Sequence, residues 1–149
     1  MPIGSITRGT TGTNRLRRID RWIAQSPAFR TAEMPLVVDL GYGASATTSL
    51  ELHQRLARVK PNVEVVGIEI DPARVKLASA SAKPGVSFRL GGFEVPLDGN
   101  RPATVIRALN VLRQYDEGRV LENWHRMVAR LDNGGLLIEG TCNEVGRVA

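Results

Sequence analysis

Short apolar runs alternate with longer amphipathic segments along this chain. Runs of five to eight apolar residues bounded by turn residues are typical of buried strands, whereas apolar spacings of three and four predict helices. The predicted strands are Leu36–Leu40, Val63–Ile70, Val86–Leu90, Ala103–Ala108 and Leu136–Gly140, and the predicted helices are Asn14–Phe29, Thr47–Val59, Pro72–Ala82 and Asp116–Leu131. This alternation predicts an α/β fold, a doubly wound, mostly parallel sheet of about five strands in a three-layer sandwich.

The first and last predicted helices have the clearest amphipathic pattern. In the first, one face carries Leu16, Ile19, Trp22 and Ile23, and Asn14 is the predicted N-cap. In the last, Asn133-Gly134-Gly135 is the predicted C-terminal stop. Its predicted apolar face is formed by Val120, Leu121, Trp124, Met127, Val128 and Leu131.

Length and composition predict one soluble domain. Residues 1–13 are rich in glycine and threonine and are predicted to form a flexible arm, with a single domain over 14–149. No apolar run approaches the ~20 residues of a membrane helix, and no secretory signal precedes the domain. The single cysteine, Cys142, excludes an internal disulfide and favours the cytoplasm. We predict no metal site and no membrane contact.

The charge pattern leaves two interpretations open. The formal net charge is +5, and 17 of the 20 basic residues are arginine. Arg15, Arg17, Arg18 and Arg21 lie on the polar faces of the first predicted helix. They form either a solvated face, with the arginine content reflecting a GC-rich genome, or a basic surface for RNA or an acidic protein.

The segment Val37–Ser45 predicts a ligand-binding turn. A buried strand ends in Asp39, and Gly41 and Gly43 follow at alternate positions. Glycines remove side chains where a ligand lies against the backbone, at the edge of the sheet where α/β proteins bind ligands. Residues 41–46 also match the dinucleotide fingerprint G-x-G-x-x-A, which on its own is a weak signal.

A nicotinamide dinucleotide fits this segment poorly. The Asp39 carboxylate would repel a pyrophosphate, and the next strand-end acid, Glu69, comes 28 residues after Gly41 rather than the ~20 of that fingerprint. No second domain remains for a hydride donor or acceptor. An NAD-type oxidoreductase fragment is therefore the least favoured interpretation.

The end of the second predicted strand carries two acids with different expected roles. Asp71 precedes Pro72 and is a natural N-cap for the helix that follows. Glu69 lies at the carboxyl end of the strand, where a carboxylate can accept hydrogen bonds from ribose hydroxyls. The alternative for Glu69 is a solvated acid at a strand end.

Three segments together resemble the motifs of class I S-adenosylmethionine-dependent methyltransferases. They are Val37–Ser45, Val65–Pro72 and Leu131–Glu139, and the resemblance extends over about residues 35–140. It implies a Rossmann-like methyltransferase core with S-adenosylmethionine as cofactor. It also implies that Asp39 orients the methionine part of the cofactor and that Glu69 binds its ribose. Gly41 and Gly43 would let the protein backbone approach the cofactor closely. A carboxylate near a sulfonium and an ammonium group is electrostatically favourable.

The resemblance extends to further residues but departs from the family in places. The third glycine of the loop is Ser45, and Gly92 stands where the family has an acid that accepts from the adenine amino group. Phe93 either contacts adenine or belongs to the core. Arg107 and Asn110 are candidates to line the pocket, and the alternative for Asn110 is to cap or brace a loop. The complete predicted cofactor set is Asp39, Gly41, Tyr42, Gly43, Glu69, Ile70, Gly92, Phe93, Arg107 and Asn110.

The sequence thus predicts a methyltransferase domain with an unidentified methyl acceptor. No residue stands out as catalytic, and His53 and His125 are expected to be packed or surface residues. The alternative is a degenerate methyltransferase or binding module that contacts RNA or an acidic protein through its first helix. The family fold has seven strands, whereas this sequence stops at Ala149, after the fifth. An exposed fifth-strand edge is therefore expected, and three explanations stay open: a C-terminal truncation, an association of copies that covers the edge, or a shortened natural variant.

Overall fold

The computed structural model describes residues 2–4, 16–109, 116–140 and 145–148. The strands are β1 Leu36–Leu40, β2 Glu64–Glu69, β3 Val86–Leu90, β4 Ala103–Leu109, β5 Leu131–Gly140 and β6 Val145–Val148. The helices are α1 Arg17–Gln25, α2 Pro27–Thr31, α3 Thr47–Ala57, α4 Pro72–Ser79 and α5 Glu117–Val128. The strands form one sheet in the order β3-β2-β1-β4-β5-β6, parallel from β3 to β5. The predicted α/β, doubly wound fold is confirmed.

Two apolar layers sandwich the sheet. On one face, side chains of α1, α2 and α3 pack against Val37, Val65 and Val105. On the other, Met127 of α5 and the segment 93–97 pack against Val38 and Ile106. Every residue of β1 and β4 is buried, as expected for central strands covered by helices on both faces. The described residues include no helix long and apolar enough to cross a membrane.

The predicted first helix is two helices. Ser26 has an extended backbone, and its Oγ accepts a hydrogen bond from the Phe29 N–H at 3.4 Å, which caps α2. Pro27 occupies the first turn of α2, where its missing N–H costs nothing but where a helix arriving from α1 cannot continue. The predicted N-cap, Asn14, lies outside the described residues, and Leu16 stands at the N-cap of α1.

The predicted glycine stop after the last helix is wrong. α5 ends at Val128, and β5 begins at Leu131. The pairing of β4 with β5 shifts register between Ala103 and Val105, so that 132–135 form a bulge within the strand. Gly134 has a φ of 77°, in the left-handed region that glycine adopts readily and that occurs in β-bulges. The glycines therefore bend a strand rather than end a helix.

The expected open edge of β5 is also wrong. β6 pairs antiparallel with β5 over 137–140, and Leu137 and Ile138 are fully buried. β3 and β6 are the edge strands of the described sheet. Association of copies through β5 stays a prediction, and it would first require the loss of β6.

Three residues assigned to apolar helix faces are exposed. Trp22 on α1 is 36% exposed, and Leu121 and Val128 on α5 are 56% and 40% exposed. The strip of buried residues along each helix is narrower than the sequence pattern predicts. It is centred on Ile23 in α1 and on Met127 in α5, both of which are fully buried. Periodicity assigns a residue to a half of the helix, whereas the sheet covers only the centre of that half.

His53 on α3 packs against the turn that precedes β3. A Cβ atom at Gly85, where φ is 88°, would lie 2.5 Å from the His53 Nε2 atom. The His53 Nδ1 atom is buried and has no hydrogen-bond partner among the described residues. Burial, and secondly the nearby Lys83 charge, lower the pKa of His53 below its usual value. The folded protein therefore favours the neutral imidazole.

This pKa shift predicts a pH-dependent stability. An unfolded histidine titrates near 6.5, so the unfolded chain binds more protons than the folded one just below that pH. The contribution of His53 to the free energy of unfolding should have its full value above pH 6.5 and should fall as the pH drops below 6.5. Urea unfolding between pH 5 and 8 measures this. His53→Gln should flatten the fall and Lys83→Met should reduce it in part, whereas an unchanged profile in His53→Gln would contradict the assignment.

Candidate functional site

A crevice opens where the strand order reverses. β1 lies between β2 and β4, so the chain leaves it for one side of the sheet and later returns on the other, and α/β folds bind ligands at such a point. β1 is followed by Gly41, whose φ of 70° favours glycine. The Gly41 N–H donates to the Ile68 carbonyl at 2.7 Å, which fixes the turn against the end of β2.

Ten residues line a cleft at this point, with a volume of about 20 Å³. They come from the ends of β1 and β2, the segment after β3 and the N-terminus: Ile3, Gly4, Leu40, Gly41, Ile68, Glu69, Ile70, Gly91, Gly92 and Phe93. The cleft thus brings together five residues of the predicted cofactor set: Gly41, Glu69, Ile70, Gly92 and Phe93. Ligand pockets are usually about 300–1,000 Å³, so the cleft as it stands is small for a nucleoside ligand.

Glu69 supplies the charge of the cleft wall. Glu69 is the last residue of β2, and its side chain is 1% exposed. One carboxylate oxygen accepts the Asp71 N–H at 3.0 Å, and the other accepts from Arg74 Nη1 at 3.2 Å. A carboxylate oxygen has two acceptor positions, so each oxygen can still accept a further hydrogen bond. The Asp71 side chain accepts from the Ala73 N–H and caps α4, as predicted.

The N-terminal residues Pro2–Gly4, here called the N-terminal strap, fill one half of the cleft. The Ile3 N–H donates to Glu94 Oε1 at 2.7 Å, and the Phe93 N–H donates to the Ile3 carbonyl at 2.7 Å. The Ile3 side chain packs on the core that includes Phe93. A Cβ atom at Gly92 would collide with the Ile3 carbonyl, so the strap depends on glycine there. The strap is the reason that the cleft is small.

Asp39 faces away from the cleft into a buried cluster of charges. Its Oδ2 atom accepts from Thr48 and Ser49 hydroxyls, each at 2.8 Å. Arg107, opposite Asp39 on β4, approaches the same carboxylate at 3.1 Å and is itself fully buried. Every oxygen of Asp39 is therefore engaged by the chain's own donors, beneath the turn rather than at the cleft.

Two further residues complete this buried charge cluster. Asp20 of α1 pairs with Arg107 and, at 2.7 Å, with Arg55 of α3. Burial raises the pKa of the Asp20 carboxyl, against the effects of Arg107 and Arg55. Burial alone would lower the pKa of Arg107, but the Asp39 and Asp20 carboxylates raise it above its usual value. Two carboxylates and two guanidinium groups leave the cluster with no net charge.

The remaining predicted cofactor residues lie elsewhere. Tyr42 is buried against Phe88, with ring centroids 5.3 Å apart, and its hydroxyl donates to the Arg74 carbonyl at 3.3 Å. Burial, and secondly the Glu69 and Asp39 charges, raise the pKa of Tyr42. Gly43 lies in the turn with a φ of 96°. Asn110 lies outside the described residues.

Sequence reasoning missed Ile3, Gly4 and Glu94 at the cleft and Asp20 in the buried charge cluster. Asp20 does leave a signal, because it occupies the buried face of α1 together with Leu16 and Ile23. A charged residue at an apolar helix position indicates a buried partner. The contacts of Ile3 are made by its peptide groups, which every residue type except proline carries, so composition gives no such signal.

The described residues near the cleft offer no histidine and no metal site. His53 packs at the other end of α3 and His125 is exposed on α5. No three His, Cys, Asp or Glu side chains in the described part of the chain are placed to hold a metal ion. The cleft can therefore bind and orient a ligand, but its lining supplies no proton-transfer group other than the ion-paired Glu69.

Comparison with known proteins identifies the fold. No protein family model and no curated protein matches the sequence. Among solved structures, the sugar N-methyltransferase KedS8 from Streptoalloteichus sp. matches 93% of this chain and 58% of its own, at 16% identity and a TM-score of 0.59. The amino pentose methyltransferase CalS10 from Micromonospora echinaspora, solved with bound SAM (S-adenosylmethionine), matches 89% and 51%, at 19% identity and 0.59.

A third match has a different substrate class in its name. The plantazolicin methyltransferase BpumL, solved in complex with SAH (S-adenosylhomocysteine), matches 85% of this chain and 47% of its own, at 11% identity and a TM-score of 0.59. The chain therefore has the Rossmann-like fold of S-adenosylmethionine-dependent methyltransferases. It spans about half the length of these three structures.

Proposed function

We propose that the cleft binds S-adenosylmethionine and that this chain is the cofactor-binding part of a methyltransferase. The observation that carries the proposal is the position of Glu69, the one charged residue among the ten described residues that line the cleft. It ends β2 beside the turn after β1, and each of its oxygens has an acceptor position left for a ribose hydroxyl. The fold and the cofactors of CalS10 and BpumL support the proposal.

The contacts of the N-terminal strap support the same ligand. The Phe93 N–H and Glu94 Oε1 form a donor and an acceptor side by side, since both bind the peptide groups of one residue, Ile3. The edge of adenine presents an acceptor nitrogen beside an amino donor, which is the complementary pair. Glu94 would then accept from the amino group, two residues after the position at which the family carries its acid.

Cofactor binding on these groups requires the strap to leave the cleft. Ile3 occupies both hydrogen-bonding positions and narrows the cleft below the size of usual ligand pockets. Removal of Ile3 would open the space over Gly92, which has no side chain to fill it. The strap and the adenine group would therefore compete for one position.

In the proposed reaction the chain aligns the reactants. S-adenosylmethionine supplies a methyl group on a sulfonium, which a nucleophile can attack directly. Glu69 would hold the ribose, and the Phe93 N–H and the Glu94 carboxylate would hold the base, so that the methyl group points along one direction. Alignment of this kind can lower the barrier of a two-reactant step by about 7–11 kcal/mol. Asp39 would act indirectly, because it is committed to Arg107, Thr48 and Ser49.

Removal of the Glu69 carboxylate should weaken cofactor binding. Glu69→Ala leaves ribose hydroxyls without their acceptor, which costs about 1–3 kcal/mol, or about 5- to 150-fold in the dissociation constant. Isothermal titration calorimetry with S-adenosylmethionine and S-adenosylhomocysteine measures this. The matched control is Glu64→Ala, which removes an exposed carboxylate from the opposite end of the same strand.

Two results would contradict the proposal. One is the absence of binding by the folded chain, both with the strap and without it, at millimolar cofactor. The other is an equal loss of affinity in Glu69→Ala and Glu64→Ala, which would indicate a general effect on β2. A thermal shift with NAD and none with S-adenosylmethionine would instead favour a dinucleotide.

A further inference from the structure

A second concave surface lies on the helical layer formed by α1, α2 and α3. It has a volume of about 610 Å³ and shares no residue with the cleft. Its lining is dominated by long polar side chains: Arg17, Arg21, Ala24, Gln25, Arg30, Glu51, Gln54, Arg55, Arg58 and Val59. Five of these ten residues are arginines, and we call this surface the arginine groove.

Most of the charge in the arginine groove is uncompensated. Arg55 is paired, with Asp20 at 2.7 Å and with Glu51 at 3.7 Å. Arg17, Arg21, Arg30 and Arg58 are exposed, and no described carboxylate lies within salt-bridge distance of them. With five arginines and one glutamate, the described lining of the groove carries a net charge of about four positive units.

The side-chain types favour a phosphate backbone with bases attached. A guanidinium group binds phosphate through two parallel hydrogen bonds and also stacks on planar rings, whereas lysine does neither as well. Gln25 and Gln54 add amide groups that can both donate and accept. Trp22, next to Arg21 on α1, is 36% exposed, and exposed aromatic rings are the usual stacking surface for unpaired bases.

We propose that the arginine groove binds single-stranded RNA. Its volume of about 610 Å³ is larger than one phosphate ion requires, and its unpaired arginines come from α1, from α2 and from the C-terminal end of α3. An acidic peptide would match the charges, but its carboxylates offer no planar rings on which the guanidinium groups can stack. The proposal is independent of cofactor binding, because no residue belongs to both the groove and the cleft.

Salt dependence of binding tests the proposal on the full chain. Fluorescence anisotropy with a labelled 12-nucleotide oligouridine should give a slope of log K against log salt of about −3, since four neutralised phosphates contribute about −0.7 each for a single strand. Arg21→Gln with Arg58→Gln should reduce the slope by about 1.4 units and weaken binding about 25-fold at 0.1 M salt. Each single substitution, Arg21→Gln or Arg58→Gln, has Arg18→Gln as its matched control, which removes one positive charge from α1 outside the groove.

Each outcome decides for or against the groove. The proposal is supported if the double variant keeps its circular dichroism spectrum but loses affinity for the oligouridine, while Arg18→Gln keeps its affinity. A slope near zero would overturn it, as would equal losses in the two sets of variants. Displacement of the RNA by polyglutamate at equal charge concentration would assign the groove to an acidic protein. Binding of oligothymidine but not of oligouridine would assign it to DNA.

Discussion

Removal of the N-terminal strap is expected to tighten S-adenosylmethionine binding by about 5- to 150-fold. The strap makes two hydrogen bonds in the cleft, Ile3 N–H to Glu94 and Phe93 N–H to Ile3 O, and its side chain packs on the core. Each net hydrogen bond is worth about 0.5–1.5 kcal/mol, so about 1–3 kcal/mol is lost when a ligand displaces both. A chain that begins at Leu16 avoids that loss, and calorimetry against the full chain measures the difference.

A point variant separates the effect of the two peptide hydrogen bonds of Ile3 from the effect of its side-chain packing. Ile3→Ala keeps both peptide hydrogen bonds but removes most of the apolar contact, so its affinity for the cofactor should lie between those of the full chain and the shortened one. Unchanged affinity in the shortened chain would show that adenine does not share the Phe93 and Glu94 groups with the strap. Weaker affinity would show that the strap covers the bound cofactor rather than competing with it.

Breaking the buried charge cluster is expected to have the largest effect on stability. Arg107→Met should lower the free energy of unfolding by about 3–5 kcal/mol, because it leaves the buried Asp39 without its cation and Asp20 with Arg55 alone. Helices α1 and α3 would lose a connection to β4, and Asp39 would lose its partner below the turn. Urea unfolding followed by circular dichroism gives the difference directly.

The size of the Arg107 effect should depend on its partners. A triple variant, Arg107→Met with Asp20→Asn and Asp39→Asn, removes the unpaired charges and should recover part of the lost stability. The surface control is Arg126→Met, which breaks an exposed pair with Glu122 on α5 and should cost about 0.2–1 kcal/mol. A similar loss in Arg107→Met and Arg126→Met would show that the buried ion pairs contribute no more than exposed ones.

The central strands β1, β2 and β4 were predictable from sequence because they are buried on both faces. β1 and β3 have the predicted bounds, and β4 and α3 begin at the predicted residues. Continuous apolar runs between turn residues leave few other structures for the chain to adopt. The glycine-rich turn was predictable for a different reason, because the positive φ values of Gly41 and Gly43 restrict the residue types that fit there.

The orientation of side chains at the site was not predictable in the same way. Asp39 lies at the predicted place on β1, but its side chain points toward α1 and α3, where it meets Arg107 from a strand 68 residues later. Such a pairing depends on sheet order and register, and a single sequence shows neither. The bulge in β5 was missed because the glycine-rich segment 133–135 has the composition of a helix stop and of a bulge alike. β6 was missed because its four residues, Val-Gly-Arg-Val, form no apolar run.

The buried charge cluster also constrains how this sequence can diverge. Its four side chains cancel one another, so the loss of any one member is costly, whereas replacement of the whole set by apolar residues of similar volume is often neutral or stabilising. A lineage therefore crosses from one arrangement to the other only through coordinated substitutions. Related chains should carry Asp20, Asp39, Arg55 and Arg107 together or lack them together, so these positions are expected to be inherited as one unit.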